Sequence, residues 1–263
     1  MPRSGADKVT ITRPRGIYLG LPAYNEEIAL PRLLERVVRL IASSGEAITV
    51  VVYNDGSTDR TLAIARDWQA RLPLVVLDGV QNRGLGAGLR ALIEYAVAKG
   101  DDSDALVIMD CDDTHDPSQI SEILDVMAGG ADVAIASRYA RNALVRGVPL
   151  FRRATAIGAM VLFKLIHPIR GAWDYTCGYR GYRIGALKVA SARHGAGLIG
   201  ESGFACMVEI LLKLKAQGVR ICEVPLQLRY DLKPTASKMD VGSNTCRLLM
   251  LLVRWRMFGF GAS

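Results

Sequence analysis

Aromatic residues are scarce in this chain: they make up 6% of its 263 residues, and only three are tryptophan. That scarcity argues against a base-stacking platform of the kind that binds single-stranded nucleic acid. Histidine is rarer still, at three residues. The five cysteines, Cys111, Cys177, Cys206, Cys222 and Cys246, are scattered, with no Cys-x-x-Cys and no histidine at zinc-ligand spacing. They read as reduced, buried thiols, so neither a disulfide framework nor a structural zinc site is expected. No Gly-x-Ser-x-Gly elbow is present, which removes one signature of a nucleophilic serine. Long apolar runs are missing too. Lys164, Arg247 and Arg254 interrupt the two best stretches before the about 18 residues that a spanning helix needs, and the polar, basic N-terminus has no signal core. The expectation is a cytoplasmic protein, soluble or peripheral on the membrane.

What is present is a globular composition, half apolar and 22% charged, with a formal net charge of +7 that favours an anionic partner. The first half alternates apolar runs and amphipathic segments. Strands are expected at 16–21, 48–53, 74–77, 105–109 and 133–136, and helices at 28–43, 58–71, 85–99 and 118–127. Near-continuous Val, Ile and Leu in the strands implies an α/β fold: a mostly parallel central sheet covered by helices on both faces. The alternation then gives way to a basic loop at 141–153, an apolar helix at 155–166, a Gly-rich segment around 173–182, a helix at 204–216, a strand at 220–224 and a last helix at 244–257. The last helix interleaves Arg247, Arg254 and Arg256 with leucines, a pattern for packing on the body or lying on an anionic membrane. The expected division is residues 1–240 as one domain and 241–263 as a basic amphipathic helix.

The polar motifs all follow strand ends, where parallel sheets bind ligands. At the fourth strand, Asp110 and Asp112 stand one residue apart, two hard oxygen ligands suited to Mg²⁺ or Mn²⁺ carrying a diphosphate. Thr114 can add an oxygen or, like His115, belong to the helix start, which Asp116 caps and Pro117 opens. Asn54-Asp-Gly-Ser-Thr-Asp59 reads as a strand-to-helix turn in which Asp55 is left over, placed where it can accept from a nucleobase N–H. Gly84-Leu-Gly-Ala-Gly88 lacks the third glycine of a dinucleotide fingerprint, Leu89 standing there, and fits a close loop approach better. His167 and His194 lie outside any motif and read as structural. Arg138, Arg152, Arg153, Arg229 and Lys238 are a solvated basic surface or, in part, phosphate ligands.

Taken in order, Pro22-Ala-Tyr-Asn-Glu-Glu27, Val52-Tyr-Asn-Asp-Gly-Ser-Thr-Asp59, Asn82-Arg-Gly84, Asp110-Cys-Asp112, Ser137-Arg-Tyr139, Asp174-Tyr-Thr-Cys-Gly-Tyr-Arg180, Glu209, Glu223-Val-Pro225 and Ser237-Lys238 resemble the family 2 glycosyltransferases of GT-A fold, in the dolichol-phosphate mannose synthase branch. The resemblance implies an inverting, metal-dependent transferase that moves a hexose, mannose from GDP-mannose in first place, to a polyprenyl phosphate. By that likeness Pro22, Tyr24, Glu26 and Asp55 hold the nucleoside. Asp110 and Asp112 hold ribose, diphosphate and the Mg²⁺ or Mn²⁺, with Thr114 a further metal oxygen. Arg138, Arg152, Arg229 and Lys238 bind phosphates, and Asp110, Asp112, Arg138 and Lys238 form the catalytic set. The likeness is imperfect at Thr114, Asp116, Cys177 and the Tyr230–Ala236 loop, the last of which puts an acceptor-phosphate role for Lys233 or Arg229 in question. Two other readings stay open: a related transferase acting on a soluble acceptor, and a non-catalytic nucleotide- or nucleic-acid-binding module suggested by the charge. Membrane contact is expected through the 155–166 helix and the last helix, or through a partner.

Overall fold

A computed structural model of the protein describes residues 13–233 and 241–258. In chain order the elements are β1 (Gly16–Ala23), α1 (Ala29–Ser44), β2 (Ala47–Asn54), α2 (Thr61–Trp68), β3 (Leu74–Asp78), α3 (Leu85–Lys99), β4 (Ala105–Ile108), α4 (Ile120–Ala128), β5 (Val133–Ser137), β6 (Leu144–Arg146), α5 (Leu150–Ile166), β7 (Arg180–Arg183), α6 (Ile184–His194), α7 (Ala205–Lys215), β8 (Ile221–Pro225), β9 (Gln227–Arg229) and α8 (Val241–Phe258). Seven strands form the central sheet in the order β3-β2-β1-β4-β7-β5-β8, and β6 pairs with β9 separately.

The first four strands are parallel and arise from successive strand–helix–strand units, as the apolar runs predict. Along β1, Ile17, Leu19 and Leu21 enter the main core with Leu30, Leu33, Val50 and Val52. The alternate face carries Tyr18 and Gly20, and Gly20 lies close under Leu92 of α3. Both faces of this half are therefore covered. β4 is buried at every residue, and each fully buried branched side chain contributes about 1.5–3 kcal/mol, so its place in the sheet is strongly fixed.

The second half departs from the simple alternation. β7 runs antiparallel between β4 and β5, pairing Ala105 with Arg183 on one side and Val133 with Tyr182 on the other. β8 then adds parallel to β5. Without β7 the sheet would be two unconnected parts. The strand is only four residues, Arg-Gly-Tyr-Arg, and its glycine leaves room for Ile123 and Met127 of α4. This strand and α6 were absent from the sequence expectation, which had a Gly-rich segment there.

α5 begins at Leu150, earlier than its apolar run suggests, and Phe163 is its one buried residue. Leu150, Phe151, Ile157, Val161 and Leu165 on α5 are exposed. α8 packs on α7 and α5, with Leu251, Leu252 and Trp255 buried, while Leu249, Met250 and Val253 stay exposed. Among the described residues no helix is long and apolar enough to cross a membrane.

Candidate functional site

The parallel strands β1, β2 and β4 end side by side, and the turns that follow are tied to each other. The Asp55 N–H donates to Ala23 O at 2.9 Å and the Met109 N–H to Gly20 O at 3.2 Å. Asn25, at φ 54°, donates its N–H to the Ser57 hydroxyl and accepts from the Thr58 N–H at 2.8 Å. A cleft of about 590 Å³ opens at these ends, lined by Pro22, Tyr24, Glu26, Tyr53 and Asp55 on one side and by Ser202–Phe204 on the other.

Four of the expected residues thus come together, and Asp55 also fixes a neighbouring turn. Its two carboxylate oxygens accept the N–H groups of Arg83 and Gly84, each at 2.8 Å, so it clamps the turn before α3 while it lines the cleft. The glycines of that turn have a physical reason. Gly84 has φ 83°, and a Cβ there would sit 2.5 Å from Ser202 O; one at Gly86 would overlap the Glu201 carbonyl oxygen. The 199–204 loop is held from beneath by Glu209, which accepts the N–H groups of Gly200 and Glu201 at 2.8 Å and is paired with buried Lys213 at 2.7 Å.

A second cleft, about 560 Å³, lies between the sheet edge and the helices α5 and α8, with Ala159, Leu162, Phe163, Leu248 and Leu252 among its walls. The two clefts share Asp110, Asp112, Phe204 and Lys233. Asp110 emerges from β4 beside Gly178, where a Cβ would stand 3.1 Å from its Oδ1, so the glycine makes room for the carboxylate. Its backbone N–H is directed at His115 Nδ1, 3.4 Å away, and the His115 ring packs at 5.1 Å on Tyr179. Burial pushes the Asp110 carboxyl up from the ordinary range, and nearby Asp112 adds to this.

Asp112 is held the other way. Although burial works to raise it, the Lys233 ammonium and the Thr114 hydroxyl keep its carboxyl below the usual range. Lys233 Nζ lies 2.5 Å from Oδ2, while the Thr114 hydroxyl and N–H donate to Oδ1 at 2.7 and 3.2 Å. Thr114, expected as a metal oxygen, is thus placed as a hydrogen-bond donor that orients Asp112. The adjoining Asp113, at φ 62°, pairs with Arg36 at 2.7 Å, and Asp116 caps the turn that Pro117 opens by accepting the Ser118 N–H at 3.0 Å.

The arginines divide. Arg138 borders the helix-walled cleft, but Nε and Nη2 close as a fork on buried Asp174 at 2.7 and 2.6 Å, with Thr176 also at 2.6 Å. Asp174 is fully buried and needs the guanidinium, so Arg138 is held in place while it borders this cleft. Arg229 lines neither cleft and is paired with Asp231 at 2.8 Å, 40% exposed, because β9 turns it outward. Arg152 does line the second cleft, where Nη1 donates to the Tyr230 hydroxyl at 2.8 Å. Lys238 lies outside the described residues. Phe204, just before α7, and Arg247, on α8, also line the first cleft, and no motif marks either because both fall in stretches read only for their apolar pattern.

A family model described as glycosyl transferase family 2 matches residues 18–189. The chain is 28% identical, over 97% of its length, to the polyprenol monophosphomannose synthase of Mycolicibacterium smegmatis, of which it covers 92%. It is 29% identical over 78% of its length to the dolichol-phosphate mannosyltransferase of Pyrococcus furiosus, and spans 54% of that protein. Among solved structures, glucosyl-3-phosphoglycerate synthase from Mycobacterium tuberculosis, in complex with Mn²⁺, UDP and glucosyl-3-phosphoglycerate, has a TM-score of 0.61 over 92% of this chain and 80% of that one, at 20% identity. That likeness shows a shared fold of GT-A type.

Proposed function

Because the chain belongs to glycosyl transferase family 2, we propose that it moves a hexose from a nucleotide sugar in the strand-end cleft to a polyprenyl phosphate in the helix-walled cleft. The observation that carries this reading is the wall that both clefts share, Asp110, Asp112, Phe204 and Lys233, where donor and acceptor would meet. The names of the relatives, a polyprenol monophosphomannose synthase and a dolichol-phosphate mannosyltransferase, support the acceptor class and favour mannose. GDP-mannose is the donor proposed first.

In this reading Pro22, Tyr24 and Glu26 border the nucleoside, and Asp55 shapes its site by fixing the Arg83–Gly84 turn. A lipid phosphate oxygen is ionised at neutral pH, so the chain need not supply a strong general base. Its contribution is placement: the acceptor phosphate lies against Arg152 and Lys233, and its oxygen faces the anomeric carbon across the Asp110–Asp112 wall. A single displacement inverts an α-linked donor to a β-linked sugar phosphate.

Asp110 and Asp112 fit a divalent cation such as Mg²⁺ or Mn²⁺. They are hard oxygen donors one residue apart, and the burial that raises Asp110 is the condition a cation would relieve. Among the described residues no group of three or more His, Cys, Asp or Glu could hold a metal, so the remaining ligands would come from the diphosphate. When bound, the cation would neutralise charge on the departing nucleoside diphosphate.

The exposed apolar residues of α5, set beside Arg152 and Arg153, are proposed to rest on an anionic lipid surface where the acceptor resides. The test is nucleoside diphosphate release from a panel of UDP- and GDP-sugars with Mg²⁺ or Mn²⁺, with and without a short polyprenyl phosphate. Lipid-dependent release from GDP-mannose is expected. Lipid-independent hydrolysis, or glycosylation of soluble acceptors alone, would overturn the acceptor assignment.

A further inference from the structure

Both carboxylate oxygens of Asp112 are engaged. Oδ1 accepts from both the hydroxyl and the N–H of Thr114, and Oδ2 accepts from Lys233 Nζ at 2.5 Å. Thr114 is two residues away in the same turn and cannot leave without rebuilding it. Lys233 arrives from 121 residues away, just past the short helical turn that follows β9, and its ammonium moves on a flexible stem. The pair is mostly shielded, with side chains 14% and 13% exposed, so it is screened less than a surface pair. An ammonium at that distance and a divalent cation on the same carboxylate repel each other strongly.

We infer that Lys233 is an internal stand-in for the divalent cation: it neutralises Asp112 in the free protein, is displaced when the cation arrives with the donor, and only then becomes available to the acceptor phosphate. This rests on the proposed cation site at Asp110 and Asp112. The placement supplies the coupling, because Lys233 lines both clefts, while Arg138 and Arg229 are closed on Asp174 and Asp231. Donor binding thereby makes the acceptor site, and by linkage the acceptor phosphate strengthens cation binding.

The experiment measures Mn²⁺ binding by the loss of its free electron-paramagnetic signal, for the whole protein and for Lys233→Gln, with and without GDP or UDP. Lys233→Gln should bind Mn²⁺ alone roughly tenfold more tightly than the unaltered protein, and the gain should vanish in the double variant Asp112→Asn/Lys233→Gln. Farnesyl phosphate should bind the unaltered protein more tightly when Mn²⁺ and GDP or UDP are present, and Lys233→Gln should lose that dependence. Equal Mn²⁺ affinity in both proteins overturns the inference and leaves the cation site standing. A gain that survives in the double variant also overturns it. Mn²⁺ binding to neither protein, even with nucleotide, overturns the cation site itself and the inference with it. Farnesyl phosphate affinity indifferent to Mn²⁺ and nucleotide in the unaltered protein overturns the binding order.

Discussion

The strand-end cleft and the helix-walled cleft are nearly equal in volume, about 590 and 560 Å³, yet they are built from different materials. The first is shaped by backbone turns, with Pro22, Tyr24, Glu26 and Tyr53 along them. Its turns follow β1 and β2, its floor is clamped by Asp55, and glycines at 84 and 86 let the 199–204 loop approach where any side chain would collide. The second is made of side chains on α5 and α8, several of which stay partly exposed. A cavity bounded by backbone has a fixed shape and suits a rigid, repeatedly recognised group such as a nucleotide. One bounded by apolar side chains suits a long chain whose contacts are interchangeable.

Four substitutions test this division. Asp112→Asn strikes the shared wall and should lower turnover about 10³-fold, as loss of a charge-stabilising group does. Nucleoside diphosphate release at saturating Mn²⁺ measures it, and near-normal turnover would show that the wall is not where the clefts act together. Gly86→Ala should strike the donor side alone. Pressing a methyl group into the Glu201 carbonyl shifts the loop and should weaken GDP binding about tenfold in calorimetry, the equivalent of a typical overpacking strain. An equal rise in acceptor KM would blur the distinction between the clefts.

Ile157→Asp is the converse. The residue is 48% exposed and lines the helix-walled cleft, so the fold should survive. Acceptor KM should rise about fivefold from desolvating a charge against a prenyl chain while GDP affinity stays unchanged. A shift in GDP affinity would mean that the helices shape the nucleotide site. Arg229→Ala, which touches neither cleft, should leave both kinetic constants within about twofold, as expected for an exposed pair. A clear loss of acceptor affinity would return Arg229 to the phosphate role.

The same contrast explains what could be read from the chain. Asp110 and Asp112 follow a run of Val and Ile that can only be a buried strand, so their place at a strand end was legible before any coordinates. So were the 84–88 glycines as a close approach and Asp116-Pro117 as a helix start. The partners were not. Asp112 meets Lys233 across 121 residues and Arg138 meets Asp174 across 36, and neither separation leaves a local signature. Arg138 and Arg229 therefore read as phosphate ligands with no sign of their carboxylate partners. β7 was missed because four residues with two arginines and a glycine show no strand period, and α6 because its glycine, alanines and serine give it a weak apolar face.

The antiparallel β7 has a consequence for how the molecule is made. During synthesis β1 to β4 can assemble from neighbouring segments as they emerge, but the outer edge of β4, Ala105–Ile108, has no partner until residue 183 has been added. β5 is in the same position, since both of its neighbours, β7 and β8, come later in the chain. A buried, apolar, unpaired edge is the feature that recruits a second copy of itself. Some seventy-five residues of translation therefore separate a half-sheet able to aggregate from one that is closed, and a slowly translated or truncated chain should be lost to precipitation before it is lost to proteolysis.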